Sequence, residues 1–174
     1  MTWTKASPTL MLFLLLLQGC GLYSFSGISL SPEVKTFFIQ FQSDVALGPP
    51  DLSEKLQQKL NDELVQRTPL QQVYTQGDLQ MEGVITQFQY VSVAPMKSGV
   101  EKEDGEATTD RLTITVQMTY TNTYDNASSF SKKTFSQSSD MAATTSRSDE
   151  EPRLIDDIFT KLVADIINDT VAAW

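Results

Sequence analysis

Apolar residues recur along this chain at several spacings, and each spacing names a different element. Leu10 to Leu17 is an unbroken apolar run that ends at Gln18 and Gly19, too short for the roughly 20 residues needed to span a bilayer. In Val34 to Phe41 the side chains of Phe37, Ile39 and Phe41 occupy alternate positions of an aromatic and β-branched stretch, which predicts a first strand. Leu52, Leu56, Leu60 and Leu64 then recur every fourth position, with charged residues between them, the mark of an amphipathic helix. That helix is expected to open at Asp51-Leu52-Ser53-Glu54, with an acid or serine capping and Glu54 reaching back. Thr68-Pro69 closes it, because proline disfavours helical geometry in the residue before it. A leucine stripe of this kind is read as core against a sheet.

Leu70 to Val73 reads as a connection, and Leu79 to Val93 as a long strand whose apolar phase changes partway. Leu79 and Met81 hold one phase and Phe88 and Tyr90 the other, so a bulge is expected near Gly83. Pro95 to Thr109 is a charged, glycine-bearing hairpin loop with no apolar face. Leu112, Ile114, Val116, Met118 and Tyr120 alternate strictly with Thr113, Thr115, Gln117, Thr119 and Thr121, giving a strand with one dry and one polar side. Tyr124 to Ser128 turns the chain, Phe130 to Gln137 returns as a fourth strand, and Ser138 to Arg147 reads as a Ser/Thr/Ala-rich surface loop. Asp149-Glu150-Glu151-Pro152 begins the last helix with acids at the positive end of its dipole and proline in the first turn. Leu154, Ile155, Ile158, Phe159, Leu162, Val163, Ile166 and Ile167 form its broad apolar stripe, expected to cover most of the dry side of the sheet. The expected fold is α+β, in the order β-α-β-β-β-α: a four-stranded, mostly antiparallel sheet with two amphipathic helices packed on one face. Its other face, lined by threonines and glutamines, is left open.

Charge and chemistry narrow the function. The chain has 22 acidic against 13 basic residues, a net charge of −9, which argues against a nucleic-acid binder. It contains no histidine, which removes the commonest metal ligand, the commonest general base and every histidine-assisted nucleophile. No zinc spacing, P-loop or dinucleotide fingerprint is present. Paired carboxylates remain as an enzyme alternative, but Asp156 with Asp157 and Glu150 with Glu151 sit beside a helix start, where acids are expected anyway. A non-enzyme is therefore expected, with no cofactor and no metal site.

The one cysteine, Cys20, changes the reading of the amino terminus. Lys5, the apolar run and the small Gly19 have the layout of a secretory signal. Leu17-Gln18-Gly19-Cys20 resembles the lipobox of bacterial lipoproteins, which implies cleavage before Cys20 and fatty acylation of that residue. Residues 1–19 are accordingly read as a signal peptide, residues 20–31 as a lipidated tether and residues 32–174 as one α+β domain. Tyr23, Phe25 and Ile28 suit a tether lying against a surface or, equally, a short irregular first strand. By resemblance to lipoprotein sorting signals, Gly21 in place of an acid implies the outer membrane, with the domain facing the periplasm.

Several segments together resemble the LptE family of lipopolysaccharide-assembly lipoproteins in its Bacteroidetes form. They are Cys20-Gly21-Leu22-Tyr23-Ser24-Phe25-Ser26-Gly27, Pro32-Glu33-Val34-Lys35-Thr36, Thr134-Phe135-Ser136 and the terminal helix from Leu154 to Trp174. The chain departs from the family at Ser138-Ser139-Asp140-Met141, where acidic and aromatic residues are usual. The resemblance implies a non-catalytic protein that plugs an LptD-type outer-membrane β-barrel and takes part in delivering lipopolysaccharide to the outer leaflet. Lipid phosphates would need cations, and the candidates are Lys97, Lys102, Arg111, Lys132 and Lys133, each of which, taken singly, reads more readily as a solvated charge guarding an edge strand. A lipoprotein activator of a periplasmic cell-wall synthase is the alternative that such a small anchored domain leaves open.

Overall fold

A computed structural model describes residues 30–93 and 109–172. The signal peptide, Cys20 and most of the tether, Lys97, Lys102 and Trp174 lie outside the described residues. The elements are β1 (Thr36–Ser43), α1 (Leu52–Arg67), β2 (Gln71–Gln72), β3 (Leu79–Val93), β4 (Thr109–Asn122), a 3-10 turn (Asn126–Ser128), β5 (Phe130–Ala142) and α2 (Arg147–Thr170). They build one five-stranded sheet in the order β2-β1-β3-β4-β5.

The expected four-stranded, mostly antiparallel sheet is thus a mixed sheet of five strands. Strand β1 runs parallel to both neighbours, β2 and β3, while β3, β4 and β5 form an antiparallel meander. The parallel pairs follow from α1, which carries the chain back along the sheet before the next strand starts. Strand β2 has no hydrophobic signature because backbone bonds alone define it, from the N–H of Gln71 to Lys35 O and of Val73 to Phe37 O, both 2.9 Å. Past β2 the free edge of β1 is blunted by α1, where Gln57 Oε1 accepts from the Phe41 N–H at 3.2 Å.

Every apolar stripe read from the sequence is buried on one side of this sheet. Phe37, Ile39 and Phe41 of β1, the four leucines of α1, Leu112 to Tyr120 of β4 and all eight stripe residues of α2 belong to a single core. Helix α1 lies over β1 and β2, α2 lies over β4 and β5, and the two helices touch each other. Coverage of the dry face is therefore shared and does not fall to α2 alone. Lys59 of α1 and Asp156 of α2 form an ion pair across that helix contact. Tyr120 is fully buried, donates from its hydroxyl to Thr170 O at 3.3 Å, and has its pKa pushed up to about 12, chiefly by burial.

The phase change in β3 occurs at Thr86, with the register against β4 shifting between Ile85 and Gln87, and not at Gly83. Gly83 serves a different need. It pairs with Phe41 across the strands, and a Cβ there would lie 2.4 Å from the Phe41 ring, so only glycine leaves room for that ring.

The loop expected over Ser138 to Arg147 is also corrected. Strand β5 continues to Ala142, burying Ser139 and Met141 opposite Leu112 and Asp110, and serine at positions 136, 138 and 139 hid that alternation. Helix α2 starts at Arg147, so Pro152 stands in its second turn and not its first. Asp51 makes no side-chain cap on α1; its carboxylate pairs instead with Lys55 at 2.9 Å.

One carboxylate ties three strands together at the end of the sheet where β1 begins. Asp78 Oδ2 accepts from the backbone N–H groups of Lys35 and Thr36, each at 2.9 Å, and from the Thr36 hydroxyl at 2.8 Å. Its carbonyl accepts from the Thr123 N–H at 3.0 Å. Donation from Lys35 N–H, then from the Thr36 hydroxyl, holds the Asp78 carboxyl below the usual range. A carboxyl depressed in the folded state stabilises fully above its unfolded pKa and loses that contribution as pH falls through the folded value. Urea unfolding should therefore show Asp78→Asn less stable than the parent by a constant margin down to about pH 5, and by a shrinking one below about pH 4. Gly83→Ala should cost about 1–3 kcal/mol by overpacking against Phe41, and adding Phe41→Leu should recover part of the lost urea midpoint.

Candidate functional site

With both helices on one side, the opposite face of the sheet has no layer upon it among the described residues. The polar phases of four strands meet there: Gln40 and Gln42 of β1, Gln80, Glu82, Gln87 and Gln89 of β3, the threonines and Gln117 of β4, and Thr134 and Ser136 of β5. Their side chains bond to one another across the strands. Gln87 donates to Gln89 Oε1 at 2.6 Å, the Thr115 hydroxyl donates to Gln87 Oε1 at 3.1 Å, and Thr115 and Ser136 hydroxyls meet at 3.0 Å. The result is a surface of amides and hydroxyls, interrupted by Glu82, Lys132 and the Arg111–Asp140 pair, on a strongly acidic chain. Toward the start of β4's partner strands, Gln40, Gln42, Glu82, Gly83, Val84, Gln117, Thr119 and Lys132 line a groove of about 250 Å³.

The cation candidates do not come together. Arg111 stands on the open face but is held by Asp140 in a two-pronged contact of 2.7 and 2.8 Å, which in turn holds the Asp140 carboxyl below its usual range. Lys132 and Lys133, adjacent in sequence, part to opposite sides of the sheet. The register of β5 against β4 shifts between Met118 and Tyr120, and Lys132 takes up φ 53° within that irregularity, a left-handed conformation uncommon outside glycine. Its N–H donates to the Thr119 hydroxyl at 3.2 Å, and its side chain lines the open-face groove. Lys133 instead turns toward α2, pairing with Asp169 at 2.9 Å and lying 5.3 and 5.6 Å from the ring centres of Phe130 and Phe135. Of the candidates among the described residues, only Lys132 has neither a carboxylate nor a ring as partner.

Sequence reading missed a second polar cluster, at the far end of the sheet. Asp110 is buried, accepts from Ser92 at 2.6 Å and from Arg147 at 2.6 and 3.0 Å, and is held below the usual carboxylate range first by the serine and then by the arginine. The Arg147 guanidinium stands 4.9 Å from the centre of the Tyr90 ring. Tyr90 donates to Glu151 at 3.1 Å, and burial with the nearby Glu151 charge pushes its pKa up to about 12. This cluster clasps the start of α2 to the β3–β4 hairpin and consumes its own donors and acceptors. The only advance sign of it was Asp110 in the dry phase of β4. No group of three or more metal-ligating carboxylates or thiols occurs among the described residues.

The model of the family described as "LptE: Lipopolysaccharide-assembly" matches residues 34–170, which spans β1 to the end of α2. The chain belongs to the LptE family. No curated protein sequence matches it. Among solved structures, it is similar to a minor lipoprotein from Acinetobacter baumannii, at 13% identity and a TM-score of 0.45, covering 79% of this chain and 96% of that one. It is also similar to lipoprotein B from Nitrosomonas europaea, at 12% identity and a TM-score of 0.46, covering 79% and 86%. The PelC dodecamer from Paraburkholderia phytofirmans is similar at 10% identity and a TM-score of 0.45, covering 81% and 90%. At these values the structural similarities carry nothing about function, and the LptE assignment stands on the family match.

The divergence of the lysine pair in this LptE-family domain separates a structural cation from an available one. Lys133→Glu removes the Asp169 pair and the ring contacts of a half-exposed side chain, so it should lower stability by about 1 kcal/mol. Lys132→Glu should leave it unchanged within about 0.5 kcal/mol, and thermal unfolding of the two variants side by side checks the contrast.

Proposed function

We propose that this chain is a non-catalytic outer-membrane lipoprotein, acylated at Cys20, that seats in an LptD-type β-barrel and takes part in delivering lipopolysaccharide to the outer leaflet. The observation that carries the proposal is the family match over residues 34–170. The uncovered sheet face supports it. Outer-membrane barrels have polar interiors, and a broad face of glutamine, threonine and serine offers hydrogen-bonding groups to such a wall. In this reading the acyl chains on Cys20 attach the domain, which lies on the periplasmic side; no helix of the described residues is long and apolar enough to cross a membrane.

Lipopolysaccharide carries phosphates, and among the candidate cations Lys132 is the one left available on the open face. Arg111 and Lys133 are engaged by Asp140 and Asp169, and Lys97 and Lys102 lie outside the described residues. In this reading Lys132 and the groove beside it meet the lipid in passage.

Pull-down of the anchored protein from detergent-solubilised outer membrane should recover an LptD-type barrel at equal stoichiometry; recovery of peptidoglycan enzymes alone would overturn the proposal. Lys132→Glu should weaken lipopolysaccharide binding by about 1 kcal/mol, several-fold in affinity, whereas Arg111→Gln should change it less.

A further inference from the structure

Five large hydrophobic side chains stand exposed among the described residues, and they are unevenly placed. Val65, Tyr74 and Tyr124 are 53%, 87% and 52% exposed, and all three lie at the end of the sheet where β1 begins. Val65 is in the last turn of α1, Tyr74 is in the loop between β2 and β3, and Tyr124 is in the turn that follows β4. The Asp78 bonds to Lys35, Thr36 and Thr123 hold those two loops beside the first residues of β1. Only Leu47 and Val91 stand exposed at the opposite end.

The described chain also starts at this end. Leu30, Pro32 and Val34 lie against Pro69 and Leu70, beside Lys35 and Arg67. From Cys20 to Leu30 the polypeptide reaches at most about 36 Å even when fully extended. Acyl chains on Cys20 therefore hold this end within that reach of a bilayer.

Single exposed hydrophobic residues need no explanation; two tyrosines and a valine gathered at the anchored end do. A tyrosine has an apolar ring and a wet hydroxyl, and such rings settle at the headgroup level of membranes. The charges nearby are of both signs: Glu33, Lys35, Asp125 and the Glu63–Arg67 pair at 2.6 Å. Long-range attraction to anionic lipid is thus small, and the contact depends on the rings.

We propose that, while it is not seated in a barrel, this end of the domain rests on the bilayer surface, with Tyr74 and Tyr124 seated among the lipid headgroups. The proposal rests on the reading of Cys20 as the acylated anchor.

Full-length acylated protein would be reconstituted into phosphatidylcholine vesicles with or without chain-brominated lipid, a contact quencher of indole. In a Trp174→Phe background, Tyr74→Trp and Tyr124→Trp should each lose roughly half their emission in the brominated vesicles, as a ring at headgroup depth would. Val91→Trp, at the opposite end, should keep its emission. Equal quenching at all three positions, or none at Tyr74→Trp and Tyr124→Trp in protein whose intact mass shows acylation, overturns the headgroup contact while leaving the anchor in place. An intact mass showing an unmodified Cys20 overturns the anchor reading and the contact together.

Discussion

The whole structure depends on burying two helical stripes and the dry phase of the sheet against one another. Leu52, Leu56, Leu60 and Leu64 from one helix and the isoleucine-rich stripe of the other meet Phe37, Met81, Ile114 and Val116 in one continuous apolar layer. Burial of this kind contributes about 25 cal/mol per Å², and no disulfide is available to supplement it, since the chain has a single cysteine. Because both helices are spent on one side, the other side of the sheet is left to amides and hydroxyls. The polar face is a consequence of where the core is, and it is the surface the fold leaves open for a partner.

Much of this was legible because it is written in periodicity. The fourfold repeat of leucine in α1, the paired apolar positions of α2 and the strict alternation in β4 each survive intact as buried positions. What escaped detection had other physical causes. Strand β2 is held by backbone bonds, which leave no pattern in side-chain type. The end of β5 alternates serine with serine, so its buried member, Ser139, looks like its exposed neighbours. Gly83 signalled an irregular backbone, yet its need was space for the Phe41 ring from the adjacent strand, a tertiary contact that no local window contains.

The candidate site was legible only in outline. Threonine and glutamine in the polar phase marked the open face, but the partners of the basic residues depend on elements far apart in sequence. Arg111 meets Asp140, and Lys133 meets Asp169. Asp110 falls in the apolar phase of β4, and its charge is met there by Arg147 at the start of α2. Charges are assigned by tertiary neighbours, and composition alone ranks them all equally.

The left-handed residue in β5 has a wider implication. An extended ribbon has only two sides, so one supernumerary residue toggles every side chain beyond it from one to the other. Here the extra residue falls at Ser131 and Lys132, which both stand opposite Thr119, and the ordinary alternation resumes behind it with Lys132 outward and Lys133 inward beneath the terminal helix. Every inward place beyond it, from Lys133 through Phe135 to Met141, consequently hangs on that single residue next to the turn.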